Sequence, residues 1–222
     1  MNILEILKDN NLKNVVLINK EHIKFDLLPN VWKEIILETN NEQKKKIILN
    51  YWNSFKEKLS KIYQILSNDL INVCVIEHNK KIKMIYIFDS NGDIITYQGE
   101  LPCKNSSFLA KMPQEIAIFY QQIHNGWNDT INGALGFVSI ENIKYLDELE
   151  WGILEKIDIP EIDLKNTYYI FHNGAGGYIC INNFDGNYQY LIWWKDEKPE
   201  YNINFWSYFD ACVQINFGYK EL

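Results

Sequence analysis

The most informative absence in this sequence is arginine. The chain has 222 residues and 22 basic residues, and every one of the 22 is a lysine. Arginine is the side chain best suited to bidentate contact with phosphates and base edges. The formal net charge of −7 also repels a phosphate backbone. The composition therefore argues against a nucleic-acid-binding protein and against phosphoryl transfer.

Long apolar runs are also missing. No segment approaches the roughly 20 apolar residues that span a bilayer. The first residues, MNILEILKDNNLKN, mix acids and lysines into their apolar pattern, and they lack the basic-then-apolar order of a signal peptide. We expect a cytoplasmic protein without a membrane partner.

The sequence contains no recognisable metal or cofactor motif. The cysteines show no C-x-x-C spacing and the histidines show no H-x-x-x-H spacing, so we expect buried, reduced thiols and no metal. The candidate nucleophile pair is Cys180 with His172 on a neighbouring predicted strand. Cys180 lies in mid-strand, with no helix N-terminus to activate it, so we predict no catalytic residue and no cofactor. The cysteines and histidines are Cys74, Cys103, Cys180, Cys212, His22, His78, His124 and His172.

One glycine-rich stretch, FHNGAGGYICINN at 171–183, raises the question of a phosphate-binding loop. Such a loop needs a strand before its glycines and a helix after them. Here a strand-like run follows Gly177, and the spacing of the glycines fails the G-x-G-x-x-G pattern. We therefore predict a hairpin turn in which glycine supplies positive φ angles.

Periodicity divides the chain into helices and two β-meanders. Helical spacing predicts helices at 2–12, after Pro29, at 41–67, at about 113–124 and within 202–219, and a capping-box-like start at Ser139 predicts another over 139–151. Strand patterns occur at 15–19, 71–78, 81–88, 93–99, 167–171, 177–181 and 188–194. The Asn91-Gly92 pair is a strong hairpin signal, and after Trp127 we expect a loop that contains Gly133 and Gly136.

These elements predict an α+β fold, in which an antiparallel or mixed sheet built from the two meanders is flanked by helices. Residues 1–104 hold an N-terminal helix and the first meander, either as a separate unit or as an extension of the same domain. Residues 105–222 form the second predicted unit. With 47% hydrophobic residues, a chain of this length can bury a sizeable core.

The charge is unevenly distributed between the two halves. Residues 1–104 carry 15 lysines against 13 acids, and residues 105–222 carry 7 lysines against 16 acids, so their net charges are +2 and −9. Acids and aromatic residues concentrate in 146–164 and in 193–201, and such surfaces suit a basic protein partner. The predicted partner-binding residues are Glu148, Glu150, Trp151, Asp185, Trp194, Asp196, Glu197 and Tyr201.

The second half resembles the SMI1/KNR4 family, also called the SUKH superfamily, over roughly residues 110–222. The resemblance rests on the helix that leads into Asn125-Gly126-Trp127, the small-residue segment 133–137, the glycine turn at 174–177 and the aromatic C-terminal helix. Where members of that family often carry an acid after the glycine turn, this chain has Tyr178 and, further on, Asn182-Asn183.

The resemblance implies a non-enzymatic α+β domain of a kind that often serves in bacteria as an immunity protein, which binds and neutralises a cognate toxin. We therefore expect such a function here, with a toxin that has a basic surface, and a nuclease effector as one case. The alternatives are a scaffold or regulatory protein-binding module, and an enzyme that uses Cys180 or His172.

Overall fold

The computed structural model describes residues 2–149, 162–194 and 197–218, and within them the chain folds around one antiparallel sheet. The helices are α1 (Ile3–Asp9), α2 (Asn30–Leu37), α3 (Asn41–Tyr51), α4 (Ser60–Asn68), α5 (Gln114–Gln122) and α6 (Phe205–Asn216). The strands are β1 (Val16–Leu17), β2 (Leu70–His78), β3 (Lys81–Ser90), β4 (Asp93–Glu100), β5 (Asn125–Asp129), β6 (Gly136–Phe137), β7 (Lys144–Tyr145), β8 (Thr167–His172), β9 (Gly177–Phe184), β10 (Asn187–Trp194) and β11 (Glu200–Tyr201). The predicted α+β class is confirmed.

Local sequence explains where several elements begin and turn. The side chains of Asn2, Asn40 and Asn204 accept hydrogen bonds from backbone amides in the first turns of α1, α3 and α6, as N-cap residues do. Between β3 and β4, Asn91 and Gly92 have φ angles of 56° and 95°. Two successive positive φ angles are the geometry of a tight type I′ hairpin, as the sequence predicts.

The strands follow the order β1-β2-β3-β4-β5-β6-β8-β9-β10-β11, and all their pairings are antiparallel. β7 pairs with the first half of β8, while β6 pairs with its second half. β4 pairs with β5, so the sheet crosses the boundary expected near residue 104 and joins the two meanders.

The helices α2 to α6 pack on one face of the sheet, where a single aromatic-rich core contains residues from both halves of the chain. α1 covers a smaller cluster on the opposite face, over β2 and β3. A third cluster, which includes Leu146, Cys180 and Trp193, lies over β8, β9 and β10. Both ends of the opposite face are therefore covered.

The structure corrects three expectations about local structure. The helix predicted at 41–67 is instead two helices, α3 and α4, separated by a 3₁₀ turn at Asn53–Phe55, and Trp52, Phe55 and Leu59 are buried in the core. The described part of 139–151 forms short 3₁₀ turns and β7 instead of a helix, since the backbone of β7 pairs with β8. Trp127 lies in β5, a buried strand that the sequence pattern does not predict.

Candidate partner-binding surface

The glycine-rich stretch forms the turn between β8 and β9, as predicted. Gly174 and Gly176 have φ angles of 77° and 93°, and the side-chain oxygen of Asn173 accepts hydrogen bonds from the amides of Ala175 (3.0 Å) and Gly177 (2.9 Å). Because a strand follows the turn, the loop lacks the helix N-terminus that binds phosphate, and Asn173 already occupies two of its amides.

The other stretches that carry the family resemblance pack against one another. A Cβ atom on Gly136 would lie 2.0 Å from the carbonyl oxygen of Trp127, and one on Gly126 would lie 2.6 Å from the amide nitrogen of Ser139. The side-chain oxygen of Asn125 accepts a hydrogen bond from the amide of Ile140 (2.9 Å). Their small side chains therefore serve the close approach of β5, β6 and the segment that follows.

The candidate nucleophile Cys180 is fully buried, and that burial raises the pKa of its thiol. Its strand neighbours are Tyr169 and Leu191, whereas His172 pairs with Tyr178 and Gly136. The thiol donates to the carbonyl oxygen of Tyr178 (3.6 Å). A buried thiol with a raised pKa is a poor nucleophile.

All four cysteines are free, and two of them, Cys74 and Cys180, are buried; Cys103 and Cys212 are half-buried. No group of three or more histidine, cysteine, aspartate or glutamate side chains is placed to hold a metal ion within the described ranges. In the same parts of the chain, no helix is long and apolar enough to cross a membrane.

Sequence reasoning missed a buried polar chain under the helices. The indole nitrogen of Trp52 donates to the hydroxyl of Tyr86 (3.1 Å), which lies 2.6 Å from Nε2 of His124. The other ring nitrogen, Nδ1, lies 3.1 Å from the carbonyl oxygen of Glu100. A carbonyl only accepts, so Nδ1 carries the proton and Nε2 accepts from Tyr86. Burial lowers the pKa of His124 to about 3, and the ring is therefore neutral.

Gly99 is the sequence signal for that chain. A Cβ atom at this position would lie 2.4 Å from the imidazole ring of His124, so glycine is required for the ring to fit against β4. A glycine inside a strand pattern often marks such a close approach.

A second polar row crosses the sheet on the face opposite the helices. Nζ of Lys83 donates to Gln98 (2.8 Å), the amide of Gln98 donates to Asn128 (3.2 Å), and the amide of Asn128 donates to the carbonyl oxygen of Phe137 (3.1 Å). The row lines a cleft of about 170 Å³. Since each member already bonds to the next, the row ties β3, β4, β5 and β6 together.

Part of the acidic excess in residues 105–222 serves the fold. Asp129 is buried and accepts hydrogen bonds from three backbone amides of the loop that follows it. Asp210 on α6 is also buried and accepts from the amides of Lys61 and Ile62 at the start of α4, and Glu115 pairs with Lys58. Between residues 105 and 222, the exposed acids that the structure describes are Glu141, Asp147, Glu148, Asp163, Asp185, Glu197 and Glu200.

The predicted partner-binding residues fall in two regions. Glu148 and Asp185 are exposed towards the end of the sheet where β9 turns into β10, whereas Trp194 and Glu197 lie at the far end of β10. An eight-residue strand separates its ends by roughly 24 Å, so these residues do not form one compact patch. Glu150, Trp151 and Asp196 lie outside the described residues.

Two of the predicted aromatic contacts are partly committed to packing. Trp193 is buried and its indole donates to the carbonyl oxygen of Glu197 (3.1 Å), so Trp194 is the more exposed of the pair. Trp194 is itself half-buried and packs against the main core, and Tyr201 is half-buried against the cluster that contains Cys180. The residues that remain open for contact are chiefly the acids.

The turn between β9 and β10 presents an aromatic residue that sequence reasoning did not select. Phe184 is 65% exposed, and it precedes the Asp185-Gly186 turn. Beside it lies a cleft of about 340 Å³ lined by Lys111, Tyr145, Asn166, Tyr168, Asn183, Phe184, Asp185 and Gly186. The signal available in the sequence was a large apolar residue placed directly before an Asp-Gly turn, where polar residues are usual.

Comparison with known proteins gives one distant relative. The chain is similar to the "Type VII secretion system protein EsaG" of Staphylococcus aureus (strain NCTC 8325 / PS 47). The two are 27% identical over 154 residues, which cover 68% of this chain and 91% of the relative. No protein-family model matches the chain, and no solved structure matches it. About a third of this chain therefore lies outside the aligned region, whereas nearly all of the relative lies within it.

Proposed function

We propose that this protein binds a cognate toxin, a secreted effector of a type VII system, and neutralises it by covering its active or substrate-binding surface. The observation that carries the proposal is the similarity to EsaG, a protein of that secretion system, over nearly its whole length. The protein acts by binding and not by catalysis, in the compartment where the toxin is made.

The charges of the described residues support a basic partner. An effector that acts on nucleic acid must present lysine and arginine side chains to the phosphate backbone. Glu148, Asp163 and Asp185 are exposed, and residues 105–222 carry only 7 lysines against 16 acids, so few cations in this half would repel such a partner. Complementary charges of this kind accelerate association and fix orientation.

The buried thiol chemistry also supports binding over catalysis. Cys180 is buried within its cluster, and the ring of His172 packs against Tyr178. The half-buried cysteines Cys103 and Cys212 belong to the margin of the main core. These placements leave the candidate nucleophile without a route to a substrate.

Co-expression with a type VII effector gene located beside the gene for this chain tests the proposal. Cells that make the effector alone are expected to stop growing, and cells that also make this chain are expected to grow and to yield a complex of the two proteins. Growth arrest that persists at full expression of this chain, together with no co-purifying complex, would sink the proposal. Complex formation without rescue of growth would instead favour a scaffold or regulatory module.

Salt dependence tests the electrostatic part. Exposed charges separated by more than about 8 Å are screened at physiological ionic strength, so the association rate constant is expected to fall at least about tenfold between low salt and about 0.5 M salt. Surface plasmon resonance at several salt concentrations measures this. A rate constant that stays flat across the series would contradict the role of charge while leaving neutralisation itself intact.

A further inference from the structure

We propose that the tip of the β9–β10 hairpin, Phe184-Asp185-Gly186, is the plug that this protein inserts into its partner. This inference rests on the proposed function and names the surface that performs it. The partner site that fits the tip is a pocket with an apolar floor for the Phe184 ring and a lysine or arginine at its rim for the Asp185 carboxylate.

The tip is held in one shape. Asp185 and Gly186 have φ angles of 49° and 84° and lie between the paired residues Phe184 and Asn187, which is the geometry of a type I′ turn. The side-chain oxygen of Asn183 accepts a hydrogen bond from the amide of Gly186 (3.0 Å). A preformed tip loses little conformational entropy when it binds.

The base of the tip is anchored to the body of the protein. The hydroxyl of Tyr168 and the side-chain amide of Asn183 both donate to the carbonyl oxygen of Lys111 (2.9 and 3.2 Å). The hydroxyl of Tyr188 donates to the carbonyl oxygen of Met112 (3.1 Å). These bonds connect β8, β9 and β10 to the segment before α5, so the base of the hairpin is held in place against the rest of the fold.

The Phe184 ring is 65% exposed, so burial against a partner would remove its apolar surface from water. Ile23 and Leu27 are exposed further, at 94% and 83%. They lie in the half of the chain with net charge +2, whereas Phe184 lies in the half with net charge −9, which is the half that attracts a basic partner.

Charge at the hairpin favours the basic partner instead. Asp185 is part of the tip, and Asp163 is exposed and bonds to the side chain of Asn166 (2.8 Å), which lines the same cleft. The nearest lysine that lines the cleft, Lys111, is engaged with Tyr145: its Nζ lies 3.2 Å from that hydroxyl and 5.6 Å from the ring centre. Lys111 keeps its charge in that contact, so the negative charge at the tip comes from Asp185, within a half of the chain that carries 16 acids against 7 lysines.

The test uses full-length variants and the purified product of the neighbouring effector gene, with binding measured by calorimetry. Phe184→Ala is expected to weaken binding at least about tenfold, as the loss of a central aromatic anchor does. Asp185→Asn is expected to weaken binding about threefold to tenfold at low salt, and the difference in affinity from the parent should be smaller at high salt. Thermal unfolding of each variant should match the parent, because both side chains are exposed.

Two matched controls lie elsewhere on the fold. Asp93→Asn changes the same charge beside the Asn91-Gly92 turn, which the antiparallel strand order places at the opposite end of the sheet. Leu27→Ala truncates another exposed apolar side chain, at 83% exposure. Both variants are expected to bind within twofold of the parent.

The outcomes separate this inference from the proposed function. If the parent chain binds the effector and Phe184→Ala binds equally well, or if Leu27→Ala is the variant that fails, the plug is overturned while neutralisation stands. If the parent chain does not bind the effector, the proposed function and the inference about the hairpin tip are both wrong. If sedimentation shows that the parent self-associates and Phe184→Ala does not, the tip is covered by a second copy and the assignment to the effector is wrong.

Discussion

The buried His124 makes the stability of this fold dependent on pH in a way that can be calculated. Its ring is enclosed by Trp32, Tyr51, Trp52 and Tyr86, and burial lowers its pKa from 6.5 to about 3. In the unfolded chain the ring returns to its ordinary pKa. As the pH falls below 6.5, His124 binds a proton in the unfolded state but stays neutral in the folded state. The contribution of His124 to the unfolding free energy is therefore fully present above pH 6.5 and is lost as the pH falls towards 3.

The magnitude follows from the size of the window. One pKa unit corresponds to about 1.4 kcal/mol, so the shift from 6.5 to about 3 amounts to about 5 kcal/mol over the whole window. Between pH 8 and pH 5, only the interval of about 1.5 pH units below 6.5 contributes, so the expected loss of unfolding free energy is about 2 kcal/mol. For a domain whose total stability is about 5–15 kcal/mol, that loss is readily measured.

Urea denaturation of the parent chain and of His124→Gln at pH 8 and pH 5 provides the assay. Glutamine keeps a hydrogen-bond acceptor for Tyr86 but does not titrate, and every other titratable group is the same in the two chains. The fall in unfolding free energy from pH 8 to pH 5 should therefore be about 2 kcal/mol larger in the parent. An equal fall in both chains would refute the assignment of a neutral, buried His124.

The remaining predictions concern single contacts and can be checked by denaturation or binding. Gly99→Ala drives a Cβ atom into the ring of His124 and should cost about 1–3 kcal/mol of unfolding free energy; in a His124→Ala background most of that cost should disappear, and a cost that persists would contradict the clash. Asp210→Ala removes the acceptor for two amides at the start of α4 and should cost about 1–2 kcal/mol by urea denaturation, against no more than about 0.5 kcal/mol for the exposed Glu200→Ala. Cys180→Ala should still rescue growth at permissive temperature. If the folded variant no longer rescues growth, the result would favour the enzyme alternative.

The sequence was sufficient for elements that local chemistry specifies. Asn91-Gly92 favours a tight hairpin, and Pro113 marks the start of α5. The prediction failed where distant contacts override local preference, since β7 forms in place of the helix expected over 139–151 because β8 offers a strand partner. The apolar spacing at 41–67 continues through the 3₁₀ turn at Asn53–Phe55, so the spacing does not reveal the break between α3 and α4.

The candidate site was less predictable than the fold for a physical reason. Acids such as Asp210 look like surface charge in the sequence, but this one is buried as a cap between α6 and α4. Counting charges therefore overestimates the acidic surface. Phe184 looks like a core residue by composition, and only the position of the Asp185-Gly186 turn exposes it. The burial of Asp210 depends on a contact between segments distant in sequence, which no local pattern contains.

The most direct test of the central claim is a titration of the effector's toxic activity with purified chain. The toxic activity of the effector is expected to fall in proportion to the added chain and to vanish near one equivalent per effector, because a bound chain covers the surface that the activity needs. Activity that remains unchanged at a large excess of folded chain would contradict it.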